Sequence, residues 1–363
     1  MIQIINNIND FYSIKDECNS LADNFKMPLL RFEWLFNCAT IFCPPAKLNI
    51  FLLRDNKNEI KAIAPLVLIK NYVTEKLEII GTSIHKEPGG FLYKNEESLV
   101  ELLDEIIKSE IPIYLKGIRL ISSEASAIFS ILKKYNAYTF KRNELIPYLS
   151  ITESWEEFQK NISSSRRSSL KRLYKIASEL GKVEFEIFCP TKENVDSYLD
   201  EIFSVEASGW KSRIGSAMKL NSNLGQFFRS YSKDSTELGL LRLAFLRLNG
   251  EAIAVQIGLE YAKRFWSLKI GYNENWSKCS PGILLMNYVI RYAFENKLEA
   301  VELLGSDEPW LHIWTSLHRE LITYKIYPTS FSKSFDLMKE FSNSFYKRAH
   351  FFISKKIILS NAK

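Results

Sequence analysis

The chain has 363 residues, 46% of them hydrophobic and 25% charged. That composition fits a globular protein with room for two domains, and excludes a disordered or membrane-embedded chain. Net charge is +6 but local: residues 160–182 hold seven Lys/Arg against one Glu, residues 331–363 hold seven against Asp336 and Glu340, and the rest is mildly acidic. Five cysteines (Cys18, Cys38, Cys43, Cys189, Cys279) sit at no metal-type spacing, and their odd number argues against a disulfide framework. A reducing, cytoplasmic compartment is therefore expected. No basic stretch followed by an apolar core opens the chain, so no signal peptide is expected, and apolar runs such as 63–69 are too short to span a bilayer.

In chain order, β-formers predict strands over 48–54 and 59–69, joined by the polar turn Asp55-Asn56-Lys57-Asn58. A strand at 76–81, a helix at 96–108, a strand at 113–121 and a helix at 123–134 follow. After Pro147 come a short helix (155–160) and a longer basic one (163–180). The latter has Leu170, Leu173, Ala177 and Leu180 on one face, with Arg166, Arg167, Lys171, Arg172 and Lys175 covering the rest. A helix from about Thr191 reaches Glu206 and is broken by Gly209, which leaves Trp210, Lys211 and Arg213 on a loop. Asn249-Gly250 marks a hairpin over 240–261. A strand (264–272), a helix (281–296) and a strand (299–304) complete this part, and aromatics at helical spacing predict a helix within the basic tail 331–359. The basic end of that tail suits contact with an anionic membrane surface.

Two hairpins invite comparison: LNIFLLRDNKNEIKAIAPLVL and LRLAFLRLNGEAIAVQIGL. Each is an apolar strand, a polar turn, an acidic residue and a strand of small and branched residues, followed by strand, helix and strand. The pattern fits two copies of one α/β unit.

Chemistry concentrates at Ser280-Pro281-Gly282. Ser is a favoured N-cap, Pro is preset for the first helical position, and Gly lets another group approach the backbone. A helix start of this kind suits a phosphate or pyrophosphate, although a plain Pro-started helix has the same tripeptide. Neither a GxGxxG nor a P-loop occurs, so no dinucleotide enzyme or nucleotide triphosphatase is indicated.

The order SSSRRSSLKRLYK, EASGWKSR, NGEAIA, a GY aromatic strand, SPGILLMNYVI and ELLGSDEP resembles the FemAB-like branch of the GNAT acyltransferase superfamily, especially cellulose-biosynthesis-type acetyltransferases. The resemblance covers about residues 150–330 and is thinner over 1–150. It implies a mixed α/β fold of two tandem GNAT-like units (1–150 and 151–330) with a C-terminal helix (331–363). It further implies an acyl-CoA donor, its pantetheine lying between splayed strands 264–272 and 299–304 and its pyrophosphate at Ser280, Pro281, Gly282 and Ile283, with Ile270 and Arg166 alongside. Relatives end the last motif with a Tyr-Lys pair, whereas Trp310-Leu311 stands here, so an aromatic is kept and a lysine lost.

Acyl transfer needs a proton acceptor and groups that position two substrates. The candidates are Asp307, Glu308 and His312, with Tyr272 as the acid for the departing thiolate; Glu206, Trp210, Lys211 and Trp310 are candidates for the acceptor site, and no metal is expected. Helix capping by Asp307 and Glu308, a core role for Trp210 and a solvated loop position for His85 are the corresponding structural readings. The expected partners are acyl-CoA and a sugar or cell-envelope precursor, with an acyl-carrier protein as a further docking partner for the basic helix. RNA is not favoured, because no aromatics interleave with the basic residues. The leading expectation is transfer of an acetyl group to an amine or hydroxyl of an envelope or exopolysaccharide precursor. The alternatives are aminoacyl-tRNA-dependent transfer to a peptidoglycan precursor and a non-catalytic GNAT-like binding module.

Overall fold

Apolar strands separated by short polar turns build two sheets in the computed structural model, which describes residues 1–43, 47–70, 75–209 and 218–328. The strands are β1 (Ile2–Ile5), β2 (Ile50–Arg54), β3 (Ile60–Ala64), β4 (Leu66–Lys70), β5 (Glu75–Ile79), β6 (Leu92–Tyr93) and β7 (Ile113–Arg119). They continue as β8 (Tyr138–Ser150), β9 (Val183–Phe188), β10 (Leu241–Leu248), β11 (Glu251–Tyr261), β12 (Arg264–Tyr272), β13 (Ala300–Glu302) and β14 (His318–Tyr327). A small sheet has the order β1-β2-β3-β6, and a ten-stranded sheet the order β4-β5-β7-β14-β8-β13-β12-β11-β10-β9.

The large sheet is nearly symmetric about its centre. β5 and β7 run parallel and are joined through the helix Glu96–Ile107; β12 and β13 run parallel and are joined through the helix Pro281–Glu295. Between these pairs β8 and β14 lie antiparallel over ten residue pairs, from His318↔Pro147 to Tyr327↔Tyr138. A strand from late in the chain thus sits beside β7 of the first unit, while β8 pairs with β13 of the second.

The internal repeat extends to backbone detail. In the β2–β3 hairpin the register shifts between Leu53 and Arg54; in the β10–β11 hairpin it shifts between Leu246 and Arg247. In both, the arginine donates through Nη1 to a turn carbonyl, Asn58 O at 2.8 Å and Gly250 O at 3.4 Å. A bulge and its arginine in the same place in each hairpin are a shared construction, since an extra residue twists a strand only where it is placed. The fold is mixed α/β, with two like units.

The expected strand 59–69 is instead two strands in two sheets. Pro65 has no N–H to give a ladder, so β3 and β4 part on either side of it. The strand expected over 299–304 is only Ala300–Glu302, because Leu304 (φ 54°) and Gly305 (φ 63°) turn left-handed directly after it. On the basic helix, Ser164–Leu180, Leu173 and Ala177 are buried, but Leu180 is exposed.

His85 is not a solvated loop residue. It lies buried between Trp34, Phe42 and Phe227, where desolvation pushes its pKa down to about 3. These aromatics belong to a core that helices of both units share: Trp34 of Phe32–Phe42 meets Phe227 and Tyr231 of Ser222–Glu237 edge-on. Among the described residues no helix is long and apolar enough to cross a membrane. The expected C-terminal helix within 331–363 lies outside the described residues, as do Trp210, Lys211 and Arg213.

Candidate acyl-transfer cleft

β13 pairs with β12 only over Arg264↔Ala300, Phe265↔Val301 and Trp266↔Glu302. β12 then runs on to Tyr272 with β11 alone beside it. The strands part because β13 stops at Glu302, and a cleft of about 650 Å³ lies along the end of β12. Its wall includes Glu206, Ile270, Tyr272, Gly282, Glu308 and Trp310, with Ser280 and Ile283 also lining it. Residues far apart in the chain are brought together here by one broken strand pair.

Close backbone approach shapes one side. A Cβ on Gly271 would stand 2.9 Å from Glu206 Cα, and one on Gly209 would stand 2.9 Å from Tyr272 O. Glycines at both places let the end of the helix Val195–Ala207 press against the end of β12. Glu206 is 2% exposed, and its Oε2 accepts a hydrogen bond from Met218 N at 2.8 Å. It serves as a wall brace as well as a lining group.

The helix start differs from the expected capping. Ser280 takes the N-cap position in a left-handed conformation (φ 47°, ψ 61°), and its side chain caps nothing. Its carbonyl accepts from Ile283 N at 3.0 Å and Leu284 N at 3.3 Å, so those amides are spoken for. Pro281 has no N–H. Gly282 N–H makes no hydrogen bond among the described residues, which leaves one bared donor at the positive end of a fifteen-residue helix. A left-handed serine is a strained choice at such a place.

Of the remaining expected site residues, Arg166 lies exposed near the start of the helix Ser164–Leu180, which packs on the turn Glu274–Cys279 that leads into Ser280. Arg166 has no ion pair among the described residues, whereas Arg167 donates to the carbonyls of Gln159, Lys160 and Ile162. Asp307 and His312 are not among the lining groups: Asp307 Oδ1 lies 2.8 Å from His312 Nε2 and 3.1 Å from His318 Nε2. His312 thus faces Asp307. The hydrogen bond to His312, and then the nearby His318 imidazole, hold the Asp307 carboxyl below the usual range. Neither Asp307 nor Glu308 caps the short turn Pro309–Ile313 through its side chain.

Three residues that sequence reasoning missed stand close by. His318 opens β14 and completes the Asp307 cluster; its signal was two of the chain's four histidines falling six residues apart. Glu302, 3% exposed, accepts from Arg264 Nη1 at 3.2 Å and Arg319 Nη2 at 2.8 Å, while Arg319 stacks on Tyr148. Glu87, from the first unit, accepts from Gly305 N at 3.3 Å across the unit boundary. Burial pushes its carboxyl up to about 7 against the pull of Gly305 N–H, Lys269 and Lys116.

The fold is similar to solved structures at low identity. A conserved protein of unknown function from Bacteroides thetaiotaomicron aligns with TM-score 0.56 and 10% identity, covering 90% of this chain and all of that one. The C-terminal domain of a protein assigned as a lysylphosphatidylglycerol synthetase from Agrobacterium fabrum gives 0.55 and 11%, covering 90% of this chain and 95% of that one. FemX gives 0.53 and 12%, over 89% and 96%. No curated protein sequence matches the chain. A family model described as an acetyltransferase (GNAT) domain matches residues 164–311. Every residue lining the cleft falls inside that span.

Proposed function

We propose that the chain transfers an acyl group, in our reading acetyl, from acyl-CoA to an amine or hydroxyl of a cell-envelope or exopolysaccharide precursor. The observation that carries this reading is the cleft along the end of β12, which is lined by Gly282 with its bared N–H. An anion at that helix end gains a donor and a favourable dipole, and the exposed Arg166 sits on the helix that packs against the same turn. The pantetheine arm lies along the free edge of β12, past Ile270. The acceptor enters where Glu308 and Trp310 line the opposite wall.

In this mechanism the acceptor nitrogen or oxygen attacks the thioester carbonyl, and the Glu308 carboxylate takes the proton it sheds. The carbon–sulfur bond then breaks, and the Tyr272 phenol gives a proton to the leaving thiolate. The thioester is already activated, so positioning supplies much of the rate and the base roughly a hundredfold or more. The acceptor class rests on the sequence resemblance, and the lost lysine at Leu311 sets this site apart from relatives that keep it.

The test is release of CoA thiol from acetyl-CoA in the presence of amino sugars and hydroxyl acceptors. Wild type should release thiol, and Glu308→Gln should lower kcat by at least about a hundredfold. A Glu308→Gln enzyme of unchanged kcat would remove the base from this account. A second reading, with aminoacyl-tRNA as donor, draws on the exposed basic helix beside the cleft and the fold shared with FemX. It predicts salt-sensitive tRNA binding and no CoA binding.

A further inference from the structure

Between Glu302 and β14 the chain makes a short detour that places three metal-type donors together. Asp307 follows the left-handed pair Leu304-Gly305, His312 lies in the turn Pro309–Ile313, and His318 opens β14 opposite Pro147. The backbone between them is pinned. Leu311 N bonds Glu308 O, Trp314 N bonds Leu311 O, Trp314 Nε1 reaches Asn287 Oδ1, and Thr315 Oγ1 donates to Tyr148 O.

The three donor atoms, Asp307 Oδ1, His312 Nε2 and His318 Nε2, all lie within 4.8 Å of one another. A single carboxylate oxygen is thus faced by two imidazole nitrogens. His312 Nε2 meets it with hydrogen-bond geometry, but His318 Nε2, buried and 3.1 Å away, makes no hydrogen bond among the described residues. A buried ring nitrogen aimed at a carboxylate without bonding it is left costly and unused.

We propose that Asp307, His312 and His318 bind a divalent ion of the zinc class beside the cleft. Two imidazoles and one carboxylate suit zinc and its first-row neighbours, and are a poor set for magnesium or calcium, which prefer all-oxygen shells. Donors at ordinary zinc distances in a tetrahedral arrangement stand about 3.4 Å apart. The present separations of 2.8 and 3.1 Å need to open by a few tenths of an ångström. Asp307 and His312, whose side chains are 30% and 43% exposed, have the freedom to do so. Three protein ligands leave a coordination position open. The same loop carries Glu308 and Trp310 into the cleft wall, so an ion held here fixes the acceptor side of the site without entering the proton transfer.

The test uses the full chain, stripped with a chelator, desalted, and titrated with Zn²⁺ or Co²⁺. Expected are about one ion retained per chain, visible absorption bands of four- or five-coordinate Co²⁺, and no competition from Mg²⁺. Asp307→Asn and His312→Ala, each on an exposed side chain, should each weaken Zn²⁺ binding by at least tenfold while circular dichroism stays unchanged. Glu308→Gln should bind the ion as wild type does. Failure of wild type to retain Zn²⁺, or retention unchanged in both ligand variants, overturns the proposal and leaves an Asp307–His312 hydrogen bond only.

Discussion

Gly271 and Gly282 both line the cleft, yet a methyl group would act on them in opposite ways. At Gly271 a Cβ would meet Glu206 Cα, Cβ and Cγ, each at 2.9 Å, so either β12 or the helix Val195–Ala207 must shift. At Gly282 the nearest atom to a Cβ is Tyr272 Cδ1 at 3.4 Å, an ordinary contact. Gly271→Ala should therefore cost about 1–3 kcal/mol of stability by overpacking, while Gly282→Ala, helical and uncrowded, should be neutral or stabilise by up to about 1 kcal/mol. Urea midpoints of the two variants measure this directly, and equal costs would mean that the strand end is not pressed against the helix. Ser280 departs from its expected capping role at the same scale. Sequence preference for serine at helix starts assumes an extended backbone and a side chain that caps; a left-handed Ser280 gives its carbonyl to the first turn instead, and only the structure shows which amide is left bare.

At the scale of elements, the parts with strong local signals were legible. The Asn249-Gly250 turn, the strand Arg264–Tyr272 and the helix Ser123–Lys134 stand where pattern and turn chemistry predict them. The likeness of the two hairpins was visible in their residues and holds down to the bulge at Arg54 and Arg247. What the sequence hid was pairing at long range. β8 and β14 carry the centre of the large sheet, but the first half of β8 is largely exposed, so apolar alternation is weak where propensity reasoning looks for it. Their stability comes from each other, across some 180 residues of chain. For the same reason the local elements that line the cleft, the end of β12 and the helix start at Ser280, were visible in the sequence, and the surroundings of Asp307 were not. There the partner, His318, belongs to a strand that was not anticipated.

Over the whole molecule, the two units share a sheet, a core and one buried carboxyl. Glu87 reaches from the first unit to Gly305 N of the second, and its burial lifts its pKa from 4.5 to about 7. A carboxyl with a folded pKa above its unfolded one holds extra protons in the native state between those values. Its contribution to stability is therefore complete below pH 4.5 and is lost as pH rises through about 7. Glu87→Gln has no such titration. The stability difference between wild type and Glu87→Gln should shift by roughly 3 kcal/mol in favour of the variant between pH 4.5 and pH 8. Urea unfolding at the two pH values checks it; a difference independent of pH would mean that Glu87 is not a buried, protonated tie between the units.

In the proposed function one bared amide at the start of a helix holds the pyrophosphate of CoA while the thiol arm follows the free edge of β12. Calorimetric titration of CoA, and of pantetheine, which lacks the pyrophosphate, into wild type and Gly282→Asp tests it most directly. The added carboxylate should weaken CoA binding by at least about tenfold and leave pantetheine binding unchanged. Equal CoA affinity in the two proteins, or no CoA binding by wild type, would contradict it.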